Sequence, residues 1–294
     1  MSREFWQHNI SCGPSRGSGG QAVRRKALYL GANPPGTVNL GLDDEVRAIR
    51  QELRSARYRC FDLVAYWTSE AHDLVRELRE SMPTIVHLGG HACKAAGHAG
   101  AGTAYRDAHV EHAGGGGLVL HARDGSVHVV SYDLVNKIFE LAGSSVRLVV
   151  LTACNTEPLA SLLLEHVDCV IGIDGPISDR AALEFSRGLY AALGDGAAVA
   201  QAFEAGCLAI QCAGLPEVGR PTLKVHPGVD ARHVVLAVIP RRRPPRGRRP
   251  PWSMARRPAT HPAPRGTRPA RRRSQPEGAR IASSALQRRR GRRP

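Results

Sequence analysis

The sequence predicts an α/β fold in which helices cover both faces of a mostly parallel sheet. From Lys26 to about Pro240, short apolar runs alternate with stretches that carry apolar residues at helical spacing. The apolar runs are rich in Val, Ile and Leu, as is typical of strands that are buried on both faces. This alternation indicates a three-layer α/β/α sandwich.

The first half of this region contains three predicted strands and two predicted helices. The strands are KALYLGANP, FDLVAYW and PTIVHLGGH, and the helices between them are LDDEVRAIRQELRSA and SEAHDLVRELRES. Ser69 is the predicted N-cap of the second helix. The first helix has an apolar stripe at helical spacing, formed by Leu42, Val46, Ile49 and Leu53.

The second half begins with an irregular segment, rich in Gly, Ala and His, over residues 92–117. GLVLHARDGSVHVVS then predicts a hairpin that turns at Arg-Asp-Gly. VRLVVLTAC and VDCVIGID are predicted strands, and the predicted helices are SYDLVNKIFELAG, PLASLLLEH, SDRAALEFSRGLYAALGDG and AVAQAFEAGCLAIQCAG. We therefore expect one α/β domain over residues 26–240.

The positive charge of the chain is concentrated in residues 241–294. This segment has 19 arginines, no lysine and one acidic residue, so its net charge is +18. Because the whole chain carries +15, the remaining residues sum to −3. It also contains ten of the 20 prolines, which predicts a disordered tail. A basic arm can attract nucleic acid, but this mixture of Arg, Pro, Ala and Gly fits a GC-rich coding artefact better.

The sequence contains no predicted membrane span and no predicted signal peptide. Residues 1–25 are rich in Gly, Ser and Arg and are predicted to be disordered, without an apolar run after the early charges. No stretch approaches the roughly 18 apolar residues that a membrane helix needs. Seven cysteines without regular spacing favour reduced thiols. We therefore expect a cytoplasmic protein.

Two predicted strand ends carry residues with catalytic chemistry. His91 follows Gly89 and Gly90 at the end of one strand, and Cys154 ends the most hydrophobic strand. If these strands are neighbours, imidazole and thiol face the same crevice. A histidine can then help to deprotonate the cysteine, and the backbone N–H groups of Ala92 and Cys154 can stabilise an oxyanion. Residue chemistry alone still favours Cys154 as core filling.

Two other classes of site are disfavoured by spacing. LYLGANPPGT lacks both G-x-G-x-x-G and G-K-S/T, so it does not predict a nucleotide site. The metal-ligating side chains near the third strand lack a regular zinc-site spacing: His87, His91, Cys93, His98, His109 and His112. We therefore predict no metal and no cofactor.

Several motifs in a fixed order resemble a known family. They are LYLGANPPGT, EVRAIRQEL, TIVHLGGHA, GLVL, SSVRLVVLTACNT and HVDCVIGIDGPISDRAALEFSRGLYAALGDGAAVAQAFEAG, between Lys26 and about Asp230. Together they resemble the CHAT domain, a branch of the caspase and separase clan of cysteine peptidases. The resemblance implies a caspase-like sandwich.

The resemblance also implies roles for individual residues. His91 would be the catalytic histidine, Cys154 the nucleophile, and the amides of Ala92 and Cys154 the oxyanion hole, although many relatives have Gly where Ala92 stands. Asp174 matches an acid that lines the pocket for a basic side chain in separase-like relatives. From its own chemistry, Asp174 could equally cap the helix that starts near Ser178. His87, inside the strand, is expected to pack or to orient.

The implied function is that of a caspase-like cysteine endopeptidase. It would cleave a protein substrate through a Cys-His dyad and an acyl-enzyme intermediate, in bacterial defence or regulated proteolysis, and would respond to an activating or regulatory protein partner. The alternative is a catalytically silent caspase-like module for interaction or regulation, since both residue types could be retained without an open cleft.

Overall fold

The computed structural model describes residues 24–67, 70–93, 116–142 and 145–238. Its strands are β1 (Arg25–Ala32), β2 (Phe61–Trp67), β3 (Ile85–Cys93), β4 (Gly117–His121), β5 (Val127–Ser131), β6 (Leu148–Leu151), β7 (Cys169–Ile173) and β8 (Pro221–Val225). Its α-helices are α1 (Leu42–Ser55), α2 (Ala71–Ser81), α3 (Tyr132–Ala142), α4 (Glu157–Leu163), α5 (Asp179–Gly194) and α6 (Val199–Cys212). The predicted tail over residues 241–294 lies outside the described residues, as does most of the predicted N-terminal segment.

The sheet is mostly parallel, as the sequence predicts. Its strand order is β2-β1-β3-β6-β7-β8, and the first five strands of this order run parallel. The hairpin of β4 and β5 lies off this path, and β4 pairs antiparallel with the C-terminal end of β3. Its predicted turn is confirmed, since Asp124 accepts hydrogen bonds from the amide and hydroxyl of Ser126.

Two separate apolar cores show that helices cover both faces of the sheet. Successive residues of β1 alternate between them: Ala27 and Tyr29 pack with α1, α5 and α6, whereas Leu28 and Leu30 pack with α2, α3 and α4. The strands are nearly all apolar because both of their faces are buried. The predicted three-layer α/β/α sandwich with a mostly parallel sheet is confirmed.

Two local features differ from the sequence analysis. β8 was not predicted as a strand, because Pro221 opens a short polar segment; proline is tolerated at the first position of an edge strand, where its missing N–H leaves no gap in the ladder. It pairs antiparallel with β7. Helix α2 has Glu70 as its N-cap, and the Glu70 amide donates to the Asp73 carboxylate at 3.2 Å; Ser69 lies outside the described residues.

Gly188 allows α5 and α6 to approach closely. A Cβ at this position would lie 2.4 Å from the carbonyl oxygen of Ala205, a backbone atom that no rotamer change can move. Helix propensity alone would favour alanine by about 1 kcal/mol. We expect Gly188→Ala instead to lower the free energy of unfolding by about 1–3 kcal/mol, because overpacking dominates.

Urea denaturation of the two proteins measures this difference. Gly219→Ala is the control, because no heavy atom among the described residues lies within 4 Å of a Cβ built there. Equal destabilisation by the two substitutions, or stabilisation by Gly188→Ala, would contradict the packing argument.

Candidate active site

The two strands that end in His91 and Cys154 are direct neighbours. β3 and β6 pair in parallel, with Leu88 opposite Leu151. His91 and Cys154 each lie three residues beyond this last pair. The structure thus brings both residues to the carboxyl edge of the sheet at the same distance along adjacent chains, as expected if the strands are neighbours.

At this edge β3 changes its partner. Beyond Gly90 the chain leaves the parallel sheet, and His91 and Ala92 lie opposite Val119 and Leu118 of the antiparallel β4. Gly90 has φ +143, and a Cβ there would lie 2.8 Å from the carbonyl oxygen of Ala32. Glycine is therefore required where the strand bends toward the hairpin.

The imidazole of His91 is held by a backbone carbonyl. Its Nε2 lies 2.7 Å from the carbonyl oxygen of Val38, in the loop between β1 and α1. Because a carbonyl only accepts, Nε2 carries the hydrogen, and in the neutral ring Nδ1 is the nitrogen that can take up a proton.

The loop that carries Val38 is itself fixed at both ends. The Asn33 amide nitrogen donates to Asn39 at 3.1 Å and to the carbonyl of Leu40 at 3.0 Å. At the other end, the Gly41 amide donates to the Asp179 carboxylate of α5 at 3.0 Å. Polar contacts to the loop's own residues and to α5 therefore determine where the Val38 carbonyl lies.

Cys154 lies in a tight turn after β6. Asn155 has φ +57, in the left-handed region that Asn tolerates better than most residues. The Asn155 amide donates to the carbonyl of Gly175 at 3.0 Å, and its carbonyl accepts the Tyr132 hydroxyl at 3.0 Å. The Thr156 hydroxyl donates to the Ala153 carbonyl at 2.9 Å. Partners from α3 and from the segment after β7 thus hold the turn.

The thiol of Cys154 is half-buried and contacts the backbone of Ile177. The Ile177 amide donates to Sγ at 3.4 Å, and the thiol donates to the Ile177 carbonyl at 3.7 Å. Both polar backbone groups of Ile177 thus contact the sulfur. Within the described ranges, no protein group accepts the Cys154 N–H, whereas the amide of Asn155 donates to the Gly175 carbonyl.

Tyr132 is a site residue that the sequence analysis missed. It is buried, it donates to the turn after Cys154, and its position at the start of α3 gives no sequence signal beyond an aromatic in an apolar pattern. Burial raises the pKa of its phenol, and negative charge on Cys93 or Cys154 would raise it further. The phenol therefore remains a hydrogen-bond donor at neutral pH.

Asp174 follows β7 directly, next to the residue that holds the Cys154 turn. Its amide donates to the carbonyl of Arg220 at 2.8 Å, and the Arg220 guanidinium donates back to the Asp174 carbonyl at 3.2 Å. The carboxylate is exposed, and no partner for it lies among the described residues. Ser178 caps α5 by accepting the Ala181 amide at 3.3 Å, so Asp174 is not the cap of that helix.

A small apolar cavity lies beside His91 and Ala153. Its volume is about 20 Å³, which is close to the space of one water molecule. Five leucines line it, from β1, α2, β3 and β4: Leu30, Leu74, Leu88, Leu118 and Leu120. The surroundings of His91 are thus polar on the side of Val38 and apolar toward the core that packs against α2, α3 and α4.

The histidine-rich segment considered as a metal site is only partly described. His98, His109 and His112 lie outside the described residues. Over the ranges that the structure describes, no three His, Cys, Asp or Glu side chains converge as a metal site would require.

The described helices include none that is long and apolar enough to cross a membrane.

Polar side chains meet inside the core between the strands β1, β3 and β6 and the helices α1 and α5. We call this group the buried polar cluster, and all its members are less than a tenth exposed: Tyr29, Glu45, His87, Thr152, Ser186 and Tyr190. His87 is completely buried, as a packing or orienting histidine would be. Glu45 was not singled out from the sequence, because it lies beside the exposed acids of the same helical turn.

Hydrogen bonds connect the whole buried polar cluster. Glu45 accepts the hydroxyls of Tyr29 at 2.7 Å and Ser186 at 2.6 Å. His87 Nε2 lies 3.3 Å from Glu45 Oε1 and 3.0 Å from the Thr152 hydroxyl. On its other side, His87 Nδ1 lies 3.3 Å from the Tyr190 hydroxyl.

The environment of Glu45 keeps it ionised. Burial raises its pKa, but the charge of His87 and the hydrogen bonds from His87, Ser186 and Tyr29 together lower it below the ordinary 4.5. Burial and the Glu45 charge raise the pKa of Tyr29 well above its ordinary value of 10.0. The carboxylate therefore accepts and the phenol donates.

The depressed pKa of Glu45 predicts how stability depends on pH. The contribution of the ionised group is complete above its unfolded-state pKa and is lost as pH falls through the lower folded-state pKa. We expect Glu45→Gln to destabilise the protein at neutral pH. The difference in free energy of unfolding between wild type and Glu45→Gln should become smaller once the pH falls below 4.5, the ordinary pKa of glutamate.

Urea titrations at about pH 7 and below about pH 4 measure this gap. Asp43→Asn, at an exposed position in the same turn of α1, is the control for loss of one negative charge. A gap between wild type and Glu45→Gln that does not change with pH would contradict the assignment of an ionised Glu45.

Two solved structures resemble this fold at low sequence identity. One is a secreted C11 cysteine protease from Bacteroides thetaiotaomicron in complex with an irreversible peptide inhibitor, with 9% identity, a TM-score of 0.45, and coverage of 64% of this chain and 59% of that one. The other is the Drosophila initiator caspase Dronc, with 11% identity, a TM-score of 0.42, and coverage of 70% and 81%. The chain thus spans less than two thirds of the C11 protease.

The family of the chain follows from its sequence. No curated protein matches the chain. A family model described as the CHAT domain matches residues 40–213, which is more than half of the 294 residues and includes both His91 and Cys154. The chain belongs to the CHAT domain family.

Proposed function

We propose that the chain is a cysteine endopeptidase in which Cys154 is the nucleophile and His91 the general acid and base. The observation that carries this proposal is the equal offset of the two residues beyond the paired ends of β3 and β6. Support comes from the Val38 carbonyl, which fixes one nitrogen of His91 and leaves the other for proton transfer.

The proposed reaction follows from these groups. His91 Nδ1 takes the proton of the Cys154 thiol, and the thiolate attacks the carbonyl carbon of the scissile peptide bond. The resulting oxyanion accepts hydrogen bonds from the backbone N–H groups of Cys154 and Ala92. His91 then protonates the leaving amine as the C–N bond breaks, which leaves a thioester on Cys154. Water, deprotonated by His91, attacks the thioester carbon, and the C–S bond breaks to release the carboxylic acid and return the proton to the Cys154 sulfur.

The Cys154 amide is the stronger of the two proposed oxyanion donors. No protein acceptor for its N–H lies among the described residues, whereas the adjacent Asn155 amide donates to Gly175, so a substrate carbonyl would meet no competing acceptor at this donor. Ala92 lies where β3 pairs with Leu118 of β4. Pairing with a hairpin holds this amide rigidly, which suits a preorganised site.

Asp174 is the proposed binding residue for a basic side chain before the scissile bond. It is exposed, and it precedes Gly175, whose carbonyl holds the turn of Cys154. An exposed carboxylate next to the residue that holds this turn would pair with Arg or Lys of a protein substrate. Arg220 contacts the Asp174 carbonyl oxygen and so leaves both carboxylate oxygens available to substrate.

The first test is labelling by a peptidyl acyloxymethyl ketone with arginine next to the reactive group. We expect wild type to be labelled at Cys154, and we expect no labelling of Cys154→Ala. Labelling of His91→Ala should be slower by at least about 100-fold, because the general base is lost. Labelling is read by intact-protein mass spectrometry.

Cys212→Ala is the matched control, because Cys212 is an exposed cysteine at the end of α6. It should be labelled at the wild-type rate. Equal labelling of wild type and His91→Ala would overturn the proposed dyad. Absence of labelling in wild type would favour the competing hypothesis of a catalytically silent module.

The second test concerns specificity and uses a peptide library that varies the residue before the cleaved bond. We expect wild type to prefer Arg and Lys, and we expect Asp174→Asn to lower kcat/KM for Arg substrates by about 10- to 100-fold, since a hydrogen bond to a charged group is lost. Asp43→Asn, at an exposed site on α1, controls for overall charge. A wild-type preference for acidic or aliphatic residues would overturn the role of Asp174.

A further inference from the structure

The buried polar cluster touches both strands that lead to the candidate active site. His87 lies on β3 four residues before His91, and Thr152 follows β6 two residues before Cys154. A hydrogen bond between their side chains, with Nε2 and Oγ1 3.0 Å apart, joins the two strands just below the site. The cluster also extends toward His91, since a Cβ at Gly89 would lie 2.2 Å from the Tyr29 hydroxyl.

Stability alone gives no reason for a charge in this position. A buried ion pair recovers little more than the cost of removing both charges from water, and apolar replacements of similar volume are often as stable. What such a group provides is direction, because each hydrogen bond has one geometry. The Glu45 carboxylate has three protein partners, from β1, β3 and α5, so it defines how these elements meet.

The proton positions in the cluster follow from the acceptor. Because the ionised Glu45 carboxylate only accepts, His87 Nε2 carries a hydrogen, and this nitrogen lies 3.3 Å from Glu45 Oε1 and 3.0 Å from the Thr152 hydroxyl. The ring of His87 stacks on Tyr190, with centroids 5.8 Å apart and planes 10° apart. His87 therefore has one orientation, and the Thr152 hydroxyl has one place to bind.

Glu45 is linked to the other side of the site as well. It lies in the first turn of α1, and the loop that precedes α1 carries the Val38 carbonyl against His91. The Glu45 carboxylate is thus connected through α1 to the loop whose Val38 carbonyl contacts the imidazole of His91. Through His87 and Thr152 it is also connected to the end of β6, which leads to Cys154.

We propose that Thr152 is a positioning residue, which, through His87 and Glu45, sets the position of Cys154 relative to His91. The proposal rests on the proposed dyad and names a residue that acts on it from the core. Loss of the hydroxyl would leave the fold intact but would let the end of β6 shift against β3. The thiol would then react without help from the imidazole.

The test measures the rate of carbamidomethylation of Cys154 by iodoacetamide at neutral pH, followed site by site by mass spectrometry. Four proteins are compared: wild type, Thr152→Val, His91→Ala and the double variant. We expect Thr152→Val, which keeps the shape of threonine, to slow the reaction about tenfold. In the His91→Ala background, we expect Thr152→Val to have no further effect.

Two further variants separate the hydroxyl from its surroundings. Thr152→Ser keeps the hydroxyl and should react at the wild-type rate, whereas Thr152→Ala removes the hydroxyl without an added methyl group and should react as Thr152→Val does. Thr84→Val is the matched control for loss of a hydroxyl at a buried threonine: Thr84 is 7% exposed and precedes β3, at the end of that strand away from His91. It should leave the rate unchanged.

The outcomes are distinguishable. A wild-type rate in both Thr152→Val and Thr152→Ala would overturn the positioning role while the dyad stands. The same slowing by Thr152→Val with and without His91 would also overturn it, because the effect would not pass through the imidazole. If wild type reacts no faster than His91→Ala, the proposed dyad fails, and the positioning role fails with it.

Discussion

The parallel pairing of β3 with β6 is the constraint on which the rest of this structure depends. Because Leu88 lies opposite Leu151, the residues three positions further along each chain leave the sheet at the same edge. A shift of one residue in this register would turn every side chain of one strand to the other face. The two apolar cores prevent such a shift, since both faces of the strands are buried.

Backbone groups, more than side chains, surround the two reactive residues. A carbonyl of Val38 holds His91, an amide and a carbonyl of Ile177 contact Cys154, and a carbonyl of Gly175 holds the turn. Each group comes from a segment that follows or precedes a strand of the sheet. Loops at this edge can therefore vary in side chains and still present the same donors and acceptors.

The core below this edge combines apolar packing with one ionised carboxylate. Glu45 is held by hydroxyl groups and by His87, so its charge is satisfied without water. Burial by itself would favour the neutral acid, and only the donors and the nearby imidazole make the ionised form the stable one. The contacts of Glu45 with β1, β3 and α5 each have a preferred direction, which apolar contacts do not have.

The sequence by itself determined the alternation of strands and helices and the placement of His91 and Cys154 at strand ends, because both follow from periodicities within a few residues. Only the tertiary structure decided that Val38 meets His91 across 53 residues and that Tyr132 meets the Cys154 turn across 23. It also decided that Glu45 is buried beside exposed acids of the same turn. Such contacts depend on how distant elements pack, and no local pattern encodes that.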